Sequence, residues 1–281
     1  MQLGLLMAFI TALMSVLGFL LKERGAVAAP AVEFSRPVGS TIALFRSPIY
    51  TLGCVVATTS WGFHVAALAL APISIVQSVI AGGLVLVTVL ADQVFGHDVT
   101  RREWIGVALT AAGLAFLAAT VGSTGDSAHA DYGDLELFLY VGLATAAGLG
   151  LVALRSEGGL ALAVAAGLLW AGSDVTIKAL SGKTDELGAA VLVHPFALVI
   201  LVLSLVGLLV SARSLQIGPA IPVIALTSTA ANTLTIAAGP IVFGEPLPEE
   251  PLALAVRLAA FALVIGAAAM TPPPLRTAAP A

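Results

Sequence analysis

The sequence predicts an all-α polytopic membrane protein, with about nine transmembrane helices in two inverted four-helix repeats joined by a central helix. Three observations predict it. Of the 281 residues, 59% are apolar and only 10% are charged, whereas a soluble domain carries about 25% charged residues and needs them to coat its surface. The apolar stretches reach the ~20 residues that a helix needs to cross ~30 Å of hydrocarbon. One hairpin pattern also occurs twice. An apolar run from Pro72 closes at Phe95-Gly96 and gives way to a polar hinge with Arg101 and Arg102, and a second run starts at Trp104. Likewise a run from Pro219 closes at Phe243-Gly244, the hinge GEPLPEEP follows, and another run starts at Leu252.

The spans read in order as 2–21, 48–70, 73–95, 103–121, 135–154, 159–180, 188–210, 219–243 and 252–271. Helices follow because lipid offers no water to satisfy backbone groups, and the runs are too long for barrel strands. No positive residue precedes the first run, while Lys22 and Arg24 follow it. That is the reverse of a secretory leader, so 2–21 reads as a span. The longest loop, 22–47, contains the apolar segment TIALF, a candidate interfacial element. The second connection is only the turn Ala71-Pro72, which makes spans two and three an antiparallel pair.

Orientation follows from the basic residues. Lys22, Arg24, Arg36, Arg46, Arg101, Arg102, Arg155, Arg213 and Arg276 fall in loops on one side of a nine-span chain. The other side holds Lys183 beside the acidic segments GSTGDSAHADYGD and GEPLPEEP. The chain is therefore expected in the plasma membrane, with its N-terminus outside and its C-terminus cytosolic. Its expected parts are a first repeat with an outer loop (1–134), a linking helix (135–158), a second inverted repeat (159–271) and a disordered Pro-rich tail (272–281).

A second echo joins the halves. LMSVLGFLLKERG in span one resembles LLWAGSDVTIKALSG in span six, with Lys22 falling on Lys178. Spans one to four then match six to nine, and the single helix between them inverts the second copy. Inverted repeats are a frequent plan of secondary transporters, with the solute site near mid-membrane between the halves.

PISIVQ at 72–77, VFG at Val94–Gly96, REW-x-G at Arg102–Gly106 and GPIVFGE at Gly239–Glu245 resemble the drug/metabolite transporter (DMT/EamA-like) superfamily. The nearest branch is the nine-span, NIPA-like one related to magnesium transporters. The resemblance covers nearly the whole chain, but its motifs are short and mostly apolar. It implies that spans 1, 3, 4, 6, 8 and 9 surround a central cavity and that transport works by alternating access. Glu245 matches the glutamate common after the second-repeat Phe-Gly pair. The first repeat has His97-Asp98 instead, and the last span of the ten-span relatives is missing.

Ionisable groups inside a membrane are costly, about 2.5–3.5 kcal/mol at its centre, so each calls for a reason. Asp174 and Lys178 stand four apart on one face of span six. They fit either an ion pair that lets both enter the membrane, or a gate or a proton- or substrate-binding charge. His64 and His194 lie on counterpart spans and are candidates for a proton relay, although His194 precedes Pro195 and can simply bond a helix end. Asp92 lies near Arg101, Arg102 and Lys22 in the predicted topology, where neutralisation is its plainest role. Arg257 either snorkels to Glu249 or Glu250 or faces the cavity.

Span eight carries a polar side with Thr227, Ser228, Thr229, Asn232, Thr233 and Thr235, and its first-repeat partner offers Gln77, Ser78, Gly82 and Gly83. Matched polar, Gly- or Pro-interrupted helices suit a midplane solute site. Small and hydroxylated residues also pack membrane bundles. Trp61 and Trp170 sit mid-span, where each either walls a pocket or packs.

Enzyme signatures are absent: no HExxH, no phosphate-binding loop and no full GxGxxG occurs. The single cysteine, Cys54, excludes an internal disulfide and a thiol-based zinc cluster. No enzymatic activity, metal or cofactor is expected. The expected partners are a small-molecule or ion substrate and the lipid bilayer; a homodimer is allowed and nucleic acid is not expected. The first reading is a secondary transporter of a small solute. The runner-up is a magnesium transporter, although magnesium prefers oxygen ligands and the predicted topology puts Asp92 and Asp174 on opposite sides. A third reading is a membrane scaffold or lipid-handling partner that transports nothing.

Overall fold

The computed structural model describes residues 2–80, 131–155, 157–218 and 220–269, with isolated positions between 101 and 113. The expected span three beyond residue 80, nearly all of span four, the His97-Asp98 hinge, Asp92 and the 272–281 tail lie outside the described residues. All regular structure among the described residues is helical. Among the described residues five helices are long and apolar enough to cross a membrane, and the chain is a helical membrane protein.

Helix α1 runs Gln2–Val27, longer than the expected 2–21. Its apolar run stops at Leu21, but the helix continues because Gly25 packs directly on the Tyr50 backbone, where a Cβ would collide. The loop that follows holds the short helix α2, Pro37–Phe45, which contains TIALF. The Ser40 hydroxyl donates to the Glu33 carbonyl at 3.2 Å and accepts from the Glu33 N–H at 3.0 Å, which fastens α2 to the loop. Helix α3, Pro48–Leu70, starts with Pro48 in its first turn and the Ser47 hydroxyl accepting from the Tyr50 N–H. It stops at the extended Ala71-Pro72 turn, after which residues 73–80 are again helical.

Helix α4, Asp134–Leu154, carries Asp134 and Glu136 in its first turn, where acidic groups complement the helix dipole. Helix α5, Gly159–Ser181, is the central one, with a far larger buried share than the other four long spans. Helix α6 runs Pro195–Ile217 rather than the expected 188–210. Hydropathy counted the apolar segment Gly188–Val193 as span, but it is a 3₁₀ turn entered at Gly188 with φ +52°. Pro195 then opens the helix at a position that needs no N–H. At its other end α6 absorbs polar residues because they have partners. Ser214 donates to the Gly159 carbonyl at 2.7 Å, and the Gln216 amide donates to the Ala26 and Pro30 carbonyls at 3.0 Å. Helices α7, Ala220–Val242, and α8, Pro251–Ala269, complete the described fold.

The packing is made by small residues, as suits helices that gain little from hydrophobicity against lipid. Helix α1 lies along α3, and α5 lies against α4, α6 and α7. Hydroxyls stitch the seams: Ser15 meets Ser60 at 2.8 Å, Ser173 meets Ser204 at 3.0 Å, and Tyr140 donates to the Leu234 carbonyl at 2.6 Å. Gly167 is in such close contact with the Thr227 carbonyl that α5 and α7 tolerate no side chain there.

Candidate functional site

The polar groups converge where α3, the 73–80 helix, α5 and the loop after α7 meet. His64 Nε2 on α3 stands 3.1 Å from Asp174 Oδ1 on α5, and the Gln77 amide donates to Asp174 Oδ2 at 3.2 Å. His64 is nearly buried, whereas the Asp174 side chain keeps about 20% of its surface exposed. Both carboxylate oxygens of Asp174 are thus engaged, and its side chain is only partly enclosed by the bundle.

One turn further along α5, the fully buried Lys178 donates to the carbonyls of Leu68, at 2.7 Å, and Ala71, at 3.0 Å. These sit at the end of α3, where backbone oxygens lack helical partners and a cation is favoured. On the other side of the same turn, Glu245 accepts from the Ser74 N–H at 3.4 Å and from the Ser74 hydroxyl. Opposite charges therefore hold the two helix ends that flank Ala71-Pro72. The Asp174–Lys178 pair expected from their spacing is not among the ion pairs of the described residues. Asp174 turns to other helices because His64 and Gln77 reach both its oxygens, and Lys178 reaches the orphan carbonyls below.

Backbone geometry delivers Glu245. Pro240 lies near the end of α7, and Gly244 adopts φ +58°, which L side chains resist. The Glu245 N–H thereby returns to the Gly239 carbonyl at 3.1 Å. Gly239 has no Cβ, and the Glu245 carboxylate occupies that space. The GPIVFGE segment thus reads as a device for turning one carboxylate into the bundle. Burial pushes that carboxyl above its ordinary range, against the opposing pull of the Ser74 bonds and the Lys178 charge. Arg257, expected either to snorkel to Glu249 or Glu250 or to face the cavity, does not reach outward: it is buried and donates to the Pro246 carbonyl at 3.0 Å.

The other expected site residues divide. His194 is the N-cap of α6, its Nδ1 accepting from the Phe196 N–H at 3.2 Å and its ring edge-on to Phe196. On α7, Thr227 and Asn232 are buried, and the hydroxyls of Thr227 and Thr229 are enclosed with no hydrogen-bond partner among the described residues. Thr233 is exposed, and its hydroxyl bonds back to the Thr229 carbonyl. The Ser78 hydroxyl is likewise engaged by the Ser74 carbonyl. Trp170 packs edge-on to Phe19 and against Gly207, whereas Trp61 is 46% exposed on the outside of α3. Gly82 and Gly83 lie outside the described residues.

The sequence points to Asp174, His64, Gln77 and Lys178 as candidates but not to the partners they take. It gave Glu245 no place beside Lys178; the glycines at 239 and 244 were the available signal. Elsewhere, an open acidic cleft of about 240 Å³ lies between Asp131, Asp134, Lys183 and Glu186, and it holds none of the residues of the polar cluster. No protein-family model, curated protein or solved structure matches the chain.

Proposed function

We propose that the chain is a secondary transporter of a small solute of the drug or metabolite type, working by alternating access. In this reading nine spans form two inverted repeats in the plasma membrane, with the N-terminus outside and the C-terminus cytosolic. The observation that carries it is the His64–Asp174–Gln77 cluster, ionisable groups held between helices inside an apolar bundle. Intramembrane ionisable groups of this kind mark proton relays and solute paths. The repeat reading is supported by two similar units. Helix α1 is joined to α3 through a loop with a short helix, and α5 is joined to α6 through a loop with a short helical turn, each pair lying side by side. The enclosed hydroxyls of Thr227 and Thr229, without a partner among the described residues, add groups that a solute or water can satisfy.

Proteoliposome uptake tests the proposal. Internal magnesium is followed by a dye while a pool of metabolites is read by mass spectrometry, with and without a pH gradient. An organic solute should move, the gradient should steepen its uptake, and Asp174→Asn should abolish that steepening. Magnesium movement lost in Asp174→Asn would replace this reading with a cation transporter. Movement of nothing would leave the scaffold reading in its place.

A further inference from the structure

Lys22 and Lys178 align in the two sequence halves, but their surroundings differ. Lys178 is held by carbonyls. Lys22, only 6% exposed near the end of α1, has no hydrogen bond and no carboxylate partner among the described residues. Its ammonium lies 4.4 Å from the centroid of the Phe19 ring and 5.4 Å from that of Trp170. Aromatic faces attract a cation, yet they accept none of its three N–H bonds in the way an oxygen does. The Lys22 backbone and the first part of its stem pack against Gly53 on α3.

A second polar group in the same region is also unsatisfied. Among the described residues the Tyr50 hydroxyl is enclosed without an oxygen or nitrogen hydrogen-bond partner, and Tyr50 itself is 1% exposed. Cys54 lies beside both Lys22 and Tyr50 and offers only a weakly bonding thiol. Among the described residues the ammonium thus stands buried beside two aromatic rings without an oxygen acceptor, and the phenol has only the Cys54 thiol beside it. Buried charges and buried polar groups are ordinarily paired, so a site of this kind calls for an acceptor from outside.

We propose that Lys22 and the Tyr50 hydroxyl form an anion subsite for the transported solute. A single cation beside Phe19 and Trp170 fits a small monocarboxylate with a flat apolar body. The carboxylate takes the N–H and O–H bonds while the body lies along the rings. This deepens the transporter reading and rests on it for the word "transported"; the binding itself is tested without transport.

The test is calorimetric titration of the purified, detergent-solubilised chain with benzoate, and with benzamide as its neutral counterpart. Benzoate should bind and benzamide should not. Lys22→Gln should weaken benzoate binding roughly ten- to hundredfold, as expected for losing a charge-assisted bond, and Lys22→Arg should retain most of it. Lys22→Met provides a readout independent of ligand. An unpaired buried charge is a burden on the fold, so this variant should hold or raise the thermal midpoint.

No benzoate binding, equal binding of benzamide, or binding unchanged in Lys22→Gln would overturn the subsite. A lowered midpoint in Lys22→Met would make Lys22 structural and overturn it too. Phosphatidylglycerol binding in place of benzoate would assign the ammonium to a lipid headgroup. Benzoate bound at Lys22 but never moved into liposomes would remove the transporter reading and leave the site. Lys22-independent uptake of a neutral solute would do the opposite.

Discussion

The Lys178 ammonium on α5 donates to the Leu68 carbonyl at the end of α3 across 2.7 Å, inside the bundle. A second bond to Ala71, on the same turn, means that this one side chain satisfies two carbonyls that helix geometry leaves open. Lys178→Met should therefore destabilise by about 3–6 kcal/mol, taking about 1.5–3 kcal/mol for each charge-assisted bond. Part of the loss should return in Lys178→Met/Glu245→Gln, because the second change removes a buried carboxylate that has lost a neighbouring cation. Unfolding of the purified protein in mixed micelles measures the cycle. Strictly additive effects would separate the two charges.

Glu245 gives a pH dependence with a definite sign. Burial raises its carboxyl above the ordinary value of 4.5, so between that value and the native one the folded protein holds the proton more tightly than the unfolded chain. Stability from this group is then fully present below 4.5 and falls as pH rises through the raised value. The thermal midpoint should decline across that window in the natural protein. Glu245→Gln, which keeps an oxygen for the Ser74 N–H, should flatten the decline without unfolding the chain.

The glycines around Glu245 make a separate prediction. Gly239→Ala puts a Cβ where the Glu245 carboxylate lies. The carboxylate must leave Ser74, and the variant should behave like a Glu245 variant, losing the same pH dependence along with about 1–3 kcal/mol from overpacking. Gly244→Ala acts on the backbone at φ +58°. About 1–2 kcal/mol of strain is expected there, with the pH dependence retained if the turn survives. Midpoints of both variants against pH separate the two mechanisms.

Much of the fold was legible because hydropathy and helix length report the same physics. The expected 48–70, 135–154 and 159–180 agree with α3, α4 and α5 to within a residue or so. The expected 188–210 differs from α6 because apolarity alone does not distinguish a 3₁₀ turn from a helix, and the boundary lies at Gly188 and Pro195. The candidate site was legible as residues and illegible as partnerships. Spacing of four placed Asp174 and Lys178 on one face, but it said nothing of His64, Gln77 or the α3 carbonyls that compete for them. Lys22 was read as a cytosolic-end lysine, since no sequence pattern records that a buried ammonium lacks an acceptor.

The hydroxyls of α7 test whether a solute path runs through the bundle. The Thr227 and Thr229 hydroxyls are enclosed and have no partner among the described residues, so they add nothing to stability and forfeit their hydration. Replacing either threonine by valine, which has nearly the same shape, should leave the thermal midpoint unchanged or raise it. If these hydroxyls line the path, solute uptake into proteoliposomes should nonetheless fall severalfold. Ser78→Ala is the control: its hydroxyl already bonds the Ser74 carbonyl at 2.7 Å, so its removal should leave uptake nearly intact. Uptake unaffected by Thr227→Val and Thr229→Val together would make these hydroxyls packing elements and move the path away from this face of α7.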